Sequence, residues 1–277
     1  MRSLAHILSF VLLLSLVACS SPLEPAPELV ELPTTTLTFA GSGAGTVILR
    51  HVLAPFEREY GIRLEFLVSS GGQPALRGAQ AGEFDVAVLL TDNPAGISRP
   101  GLTLINLAKD PVVFLRHADL PISGLSSEQL RAIYLGSVTN WAELGGPNLP
   151  IVVLTRNEDD AATRILRHHL FGTGAWPPMA IVFSRSADLR EAVQRTPGSI
   201  GFDSYGAAMI NGMAEQVLTV DELHPGALAQ AGYPLPPRRL VLAYPTAQRE
   251  ALAPLLTYVQ SEAARHALAL QGLVPNE

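Results

Sequence analysis

The 277-residue chain has a single cysteine, Cys19, so no disulfide can form within it. Charge is sparse: Asp, Glu, Lys and Arg make up 16% of the residues, and the formal net charge is -6. No Lys/Arg block occurs, which removes the concentrated basic surface that nucleic-acid binding requires. No apolar run is long enough to span a bilayer, and no internal repeat of solenoid period is present. Histidines lack metal-ligand spacing. His168 and His169 are adjacent and face different sides of a helix, while His51, His117, His224 and His266 are scattered. No Ser/His/Asp arrangement follows from spacing, and Gly41-Ser42-Gly43 is not a G-x-S-x-G elbow. The glycines of 41–45 have no acidic ribose partner about 20 residues on, as a dinucleotide fingerprint would need. Catalytic residues, metals, cofactors and nucleic-acid partners are therefore all expected to be none.

What is present is apolar: 48% of the residues are hydrophobic, enough for one or two globular domains with real cores. At the N-terminus, Arg2 precedes an apolar run from Ile7 to Val17 of signal-peptide length. It ends in Leu16-Val17-Ala18-Cys19, which resembles the lipobox of bacterial lipoproteins. That resemblance implies cleavage after residue 18, a diacyl lipid on Cys19, and export across the cytoplasmic membrane to face the periplasm or cell exterior. Residues 19–36 are rich in Pro, Glu, Ser and Thr and read as an extended tether, with the folded part beginning near Leu37.

From there strands alternate with helices. Leu37–Ala40 reads as a strand, then a Gly-rich turn leads into a helix carrying Val47, Ile48, Val52, Leu53 and Phe56 and stopped by Gly61. Ile62–Phe66 alternates as a strand, followed by Ser69-Ser70-Gly71-Gly72, a short helix, and the apolar strand Phe84–Leu90. Further strands are expected at 111–115, 151–154, 199–202 and 239–244. Helices are expected after Ser126, whose spacing to Gln129 forms a capping box, after Asp160, over 187–194, and over 251–259 and 262–270. Repetition of this kind points to α/β open sheets, with ligands at the carboxyl ends of strands.

The segment Leu125–Gly146, with Ile133-Tyr134, Gly136 and Thr139-Asn140-Trp141, resembles that of phosphate-type substrate-binding proteins of ABC transporters. Also similar, in the family's order, are Arg156 before Thr163-Arg164, Pro197–Phe202, Tyr233-Pro234-Leu235, and the ending Ser261–Pro275. The resemblance implies the type II periplasmic-binding-protein fold: two α/β lobes joined by two hinge strands, with a ligand cleft between them. Lobe 1 would comprise 37–115 plus 225–277, and lobe 2 would comprise 116–224. It implies a monomer that captures a small oxyanion, phosphate first among them, and hands it to ABC permease subunits. Trp141 and Tyr134 are expected as packing anchors.

Carried over residue by residue, the resemblance implies a first ligand loop with Ser42, Gly43 and Thr46, where either hydroxyl supplies the donor. A second loop has Ser69, Ser70 and Gly71, with Ser69 as the expected donor. The cleft carboxylate falls near Asp92, about two residues from the family's spacing, while Asp85 is expected to be structural. Arg156 takes the place of the anion-binding arginine, followed by Ala162 and Thr163. The family's Ser-Gly-Thr helix start is altered here, with alanines for the Ser and Gly, so a hydroxyl is lost and backbone N–H donors remain. Glu158, Asp159 and Asp160 suit a helix N-terminus; facing the cleft they would oppose a dianion. This departure keeps a second reading open, a sensor or scaffold lipoprotein of the same fold with a different ligand and no transport role.

Overall fold

The computed structural model describes residues 35–226 and 232–276. The expected signal peptide, Cys19 and all but the last two residues of the tether lie outside the described residues. Among these, no helix is long and apolar enough to cross a membrane.

Two sheets organise the fold. The first has six strands in the order β12-β4-β11-β3-β1-β2. These are β1 (Thr36–Gly41), β2 (Arg63–Phe66), β3 (Val86–Thr91), β4 (Leu102–Asp110), β11 (Arg238–Pro245) and β12 (Val274–Pro275). β1 is parallel to β2 and β3, whereas β11 runs antiparallel to both β3 and β4. The second sheet has the order β5-β9-β7-β8, from β5 (Val112–Arg116), β7 (Val152–Arg156), β8 (Ile181–Phe183) and β9 (Ser199–Ser204). Here β7 is parallel to β8 and β9, and β5 is antiparallel to β9. A small parallel pair joins β6 (Gly124–Leu125) to β10 (Thr219–Val220).

Alternation along each strand explains why both faces are covered. In β3 and β11, Val86, Val88, Leu90, Leu240 and Leu242 face one core, while Ala87, Leu89, Val241 and Ala243 face the other. The first core is closed by α1 (Gly43–Tyr60), through Ile48, Leu49, Val52, Leu53 and Phe56. α2 (Gly72–Ala81) covers the second with Ala75, Leu76 and Ala79. β5 repeats the pattern: Val112 and Phe114 join a core with Tyr134, Trp141 and Phe171, whereas Val113 and Leu115 meet Leu189 and Val193. Such two-sided burial accounts for the near-continuous apolar runs in the sequence.

The remaining helices are α3 (Ser127–Tyr134), α4 (Ala161–Leu166), α5 (Ser186–Arg195), α6 (Tyr205–Ile210), α7 (Ala253–Val259) and α8 (Glu262–Leu270). The capping box expected at Ser126 is present: its hydroxyl accepts from Gln129 N at 3.1 Å, and Gln129 Oε1 accepts from Ser126 N at 2.8 Å. Trp141 is fully buried and donates from Nε1 to Gly198 O at 2.9 Å, which satisfies the indole N–H. Asp85 accepts from Thr38 N and Thr38 Oγ1, tying the entry of β3 to β1.

The chain changes sheet at Asp110–Val112. Residues 112–115, which the sequence expectation grouped with the first segment, hydrogen-bond to β9 in the second sheet. The strand β4 was not expected at all, because only half of it is apolar and only three of its nine residues are buried.

Candidate ligand-binding site

A cavity of about 550 Å³ opens between the two sheets at the carboxyl ends of β1, β2, β7, β8 and β9. The first sheet contributes residues 42–44, 69–74 and Arg238. The second contributes Arg156, Asn157, residues 159–162, Arg164, residues 184–186, Phe202 and Asp203.

The local reasons for this convergence begin with Gly41. It has φ +147, and a Cβ there would stand 1.9 Å from the Val88 carbonyl oxygen, so only glycine allows β1 to pass β3 and turn into α1. Ser42 then caps α1, its hydroxyl accepting from Gly45 N at 3.4 Å. The Ser69 hydroxyl donates to Gly41 O at 2.8 Å, fixing the second loop on the first. Ser69 thus spends its proton within the chain and keeps lone pairs, while the Ser42 hydroxyl accepts and keeps its proton.

Of the residues expected from the sequence, Ser42, Gly43, Ser69, Ser70, Gly71, Arg156 and Ala162 line this one cavity. Thr46, Asp92 and Thr163 are not among its lining residues. Thr46 sits one turn into α1 and donates from Oγ1 to Gly43 O at 3.0 Å. Thr163 is fully buried, with a hydroxyl that has no hydrogen-bond partner among the described residues. Asp92 is held by Arg164, whose Nε and Nη2 reach its two oxygens at 2.9 and 2.5 Å. Burial alone would raise the Asp92 carboxyl, but the hydrogen bonds and charge of Arg164 hold it below its ordinary value.

Asp160 explains the alanines that follow it. Its carboxylate is the N-cap of α4 and accepts from Ala162 N at 3.0 Å and Thr163 N at 3.2 Å. The same carboxylate lies 3.3 Å from Arg156 Nη2. Arg156 is further held by Phe183 O at 3.1 Å and Ser184 O at 3.0 Å. A negative charge belonging to the chain itself therefore occupies the amides and the arginine that the resemblance assigns to an anion. Glu158 points elsewhere, pairing with Arg167, whose hydrogen bonds lower its pKa.

Each arginine lining the cavity has a carboxylate partner: Arg156 with Asp160, Arg164 with Asp92, Arg185 with Asp188 and Arg238 with Asp110. Ser186, Arg185 and Arg238 were not singled out from the sequence, since no local motif marks them and only the meeting of distant elements brings them here. Among the described residues, no group of three His, Cys, Asp or Glu side chains is arranged to hold a metal ion.

Comparison with known proteins settles the family. Residues 30–263 match the PBP superfamily domain. The chain belongs to that superfamily. The phosphate-binding protein PstS of Bacillus subtilis (strain 168) is 26% identical over 215 residues, covering 74% of this chain and 69% of that protein. The protein of the same name from Borreliella burgdorferi is 26% identical over 108 residues, 36% of this chain and 39% of that one. A Clostridium perfringens structure described as a phosphate ABC transporter substrate-binding protein with bound phosphate superposes with a TM-score of 0.73. It shows 21% identity and covers 88% of this chain and all of that one. An ABC-type phosphate transport receptor from Vibrio cholerae gives a TM-score of 0.61 at 19% identity, covering 86% of this chain and 99% of that one. The PBP fold with its two α/β lobes, expected from the sequence, is the fold observed.

Proposed function

We propose that this chain is an extracytoplasmic lipoprotein, anchored through Cys19, that binds inorganic phosphate in its interlobe cleft and delivers it to an ABC permease. Its lobes in this reading are residues 37–110 with 238–276, and residues 112–226 between them. The reading is supported most by one observation: the start of α1, the Ser69 turn and Arg156 line a single cavity at strand carboxyl ends. Relatives and structural neighbours named for phosphate point the same way. Calorimetry of the purified protein with phosphate, sulfate, molybdate and tungstate tests this. Heat and saturation with phosphate are expected, and silence with all four would sink the proposal.

The second reading, a sensor or scaffold of the same fold with a different ligand, draws on Asp160. A carboxylate already seated against Arg156 opposes a dianion brought to the same place. Purification from solubilised membranes separates the two readings: permease and ATPase subunits are expected with a transport receptor, and another envelope protein with a sensor.

A further inference from the structure

The start of α1 offers amides that no described residue takes up. Ser42 N donates to Val88 O, Gly45 N to Ser42 Oγ and Thr46 N to Ser42 O. The N–H groups of Gly43 and Ala44, in the first turn of an 18-residue helix, have no helical carbonyl within reach, and both residues line the cavity.

Two side chains from distant elements line the same cavity, and one of them reaches this point. Ser186 opens α5 and is only 5% exposed. A Cβ added to Gly43 would stand 3.1 Å from Ser186 Oγ, so this hydroxyl reaches across from the second lobe to the first turn of α1. Among the described residues the Ser186 hydroxyl takes part in no hydrogen bond, and α5 is not capped by a side chain. Arg238, at the start of β11, lines the same cavity and is 3% exposed. Its Nη2 donates to Asp110 at 2.7 Å, while its Nε is buried without a partner among the described residues. A buried donor left open, as Arg238 Nε is, is costly and is ordinarily met by a partner.

We propose that Ser186 and Arg238 are ligand contacts of the cleft, holding a tetrahedral oxyanion on the amides of Gly43 and Ala44. The proposal rests on the oxyanion reading above and deepens it by moving the main grip away from Arg156. That arginine has Phe183 O, Ser184 O and Asp160 as partners of its own. Ser186 gives a hydroxyl proton and α1 two amides; Arg238, whose charge is shared with Asp110, adds an N–H that no described residue takes up.

The test is calorimetry of the full chain in detergent with inorganic phosphate and with sulfate, comparing wild type, Ser186→Ala and Arg238→Lys. Ser186→Ala removes a hydroxyl that has no partner among the described residues, so its melting temperature should match wild type while phosphate binding weakens at least tenfold. Arg238→Lys keeps a charge beside Asp110 but loses the fork, and it should weaken binding by a similar factor. Should Arg238→Lys fail to fold, Ser186→Ala alone decides. Wild-type binding with Ser186→Ala within twofold of it overturns this inference and leaves the phosphate reading standing. No binding of either anion by the wild type overturns both.

Discussion

Arg164 of α4 grips Asp92, just past the end of β3, through two nitrogens, joining the two lobes across the mouth of the cleft. The carboxylate that the family resemblance assigned to the ligand is thereby engaged by the opposite wall. An ion pair in this position ties α4 to the end of β3.

The pair should be modest in energy and sensitive to acid. Arg164 is 46% exposed, so the contribution is at most about 1 kcal/mol. A carboxyl depressed by folding adds stability that is present above its unfolded pKa and lost as pH falls through the lower folded value. Arg164→Ala should lower the melting temperature by roughly 2–4 °C at pH 7. The gap to wild type should shrink below pH of about 4. Thermal melts at pH 7 and pH 3 measure it; a gap of equal size at both would mean the pair is not the cause.

Asp160→Asn tests the carboxylate that sits against Arg156. Asparagine caps a helix as well as aspartate, so the fold should survive. Removing one negative charge close to a bound anion is worth on the order of 1 kcal/mol in a partly solvated site. Phosphate affinity should therefore rise by roughly five- to tenfold. Calorimetry reads this directly, and an unchanged or weaker affinity would show that Asp160 and the anion do not compete.

Asp110 anchors the point where the chain passes between sheets. It is fully buried and accepts from Arg238 Nη2 at 2.7 Å, Ser204 Oγ at 2.9 Å and Gly206 N at 3.1 Å. Asp110→Ala strands a buried guanidinium and should cost about 3–5 kcal/mol. Urea unfolding would reveal the loss as a lowered midpoint, and a change below about 1 kcal/mol would contradict this account.

Gly41→Ala asks whether the turn into α1 tolerates a side chain. With a Cβ 1.9 Å from Val88 O, either β1 or β3 must move. Insoluble protein, or a loss of more than about 3 kcal/mol, is expected. A soluble variant with wild-type melting would disprove the close approach.

Much of this was legible because it is local. The capping box at Ser126 and Gln129, the Gly-rich turn at 41–45 and the apolar run of β3 declare themselves over a few neighbours. β4 did not, because Thr103, Asn106 and Lys109 interrupt its pattern and most of its length is only partly buried. The cleft was half legible for the same reason. Ser42, Ser69 and Arg156 follow strands whose ends can be read, but Asp92 meets Arg164 across 72 positions of sequence and Ser186 meets Gly43 across two lobes. Periodicity carries no record of such encounters. Asp160 could be read as an N-cap from its type and place, yet its second role beside Arg156 depends on where β7 ends.

Between β4 and β5 the chain has only Pro111, whose ring fixes φ near about -65°. Its carbonyl is taken by Tyr205 N at 3.0 Å. A joint with so little slack keeps the end of β4 and the start of β5 side by side. Because Tyr205 opens α6, the bond to Pro111 pins this joint to the helix that follows β9, so the two sheets cannot shift along each other at this edge without breaking it.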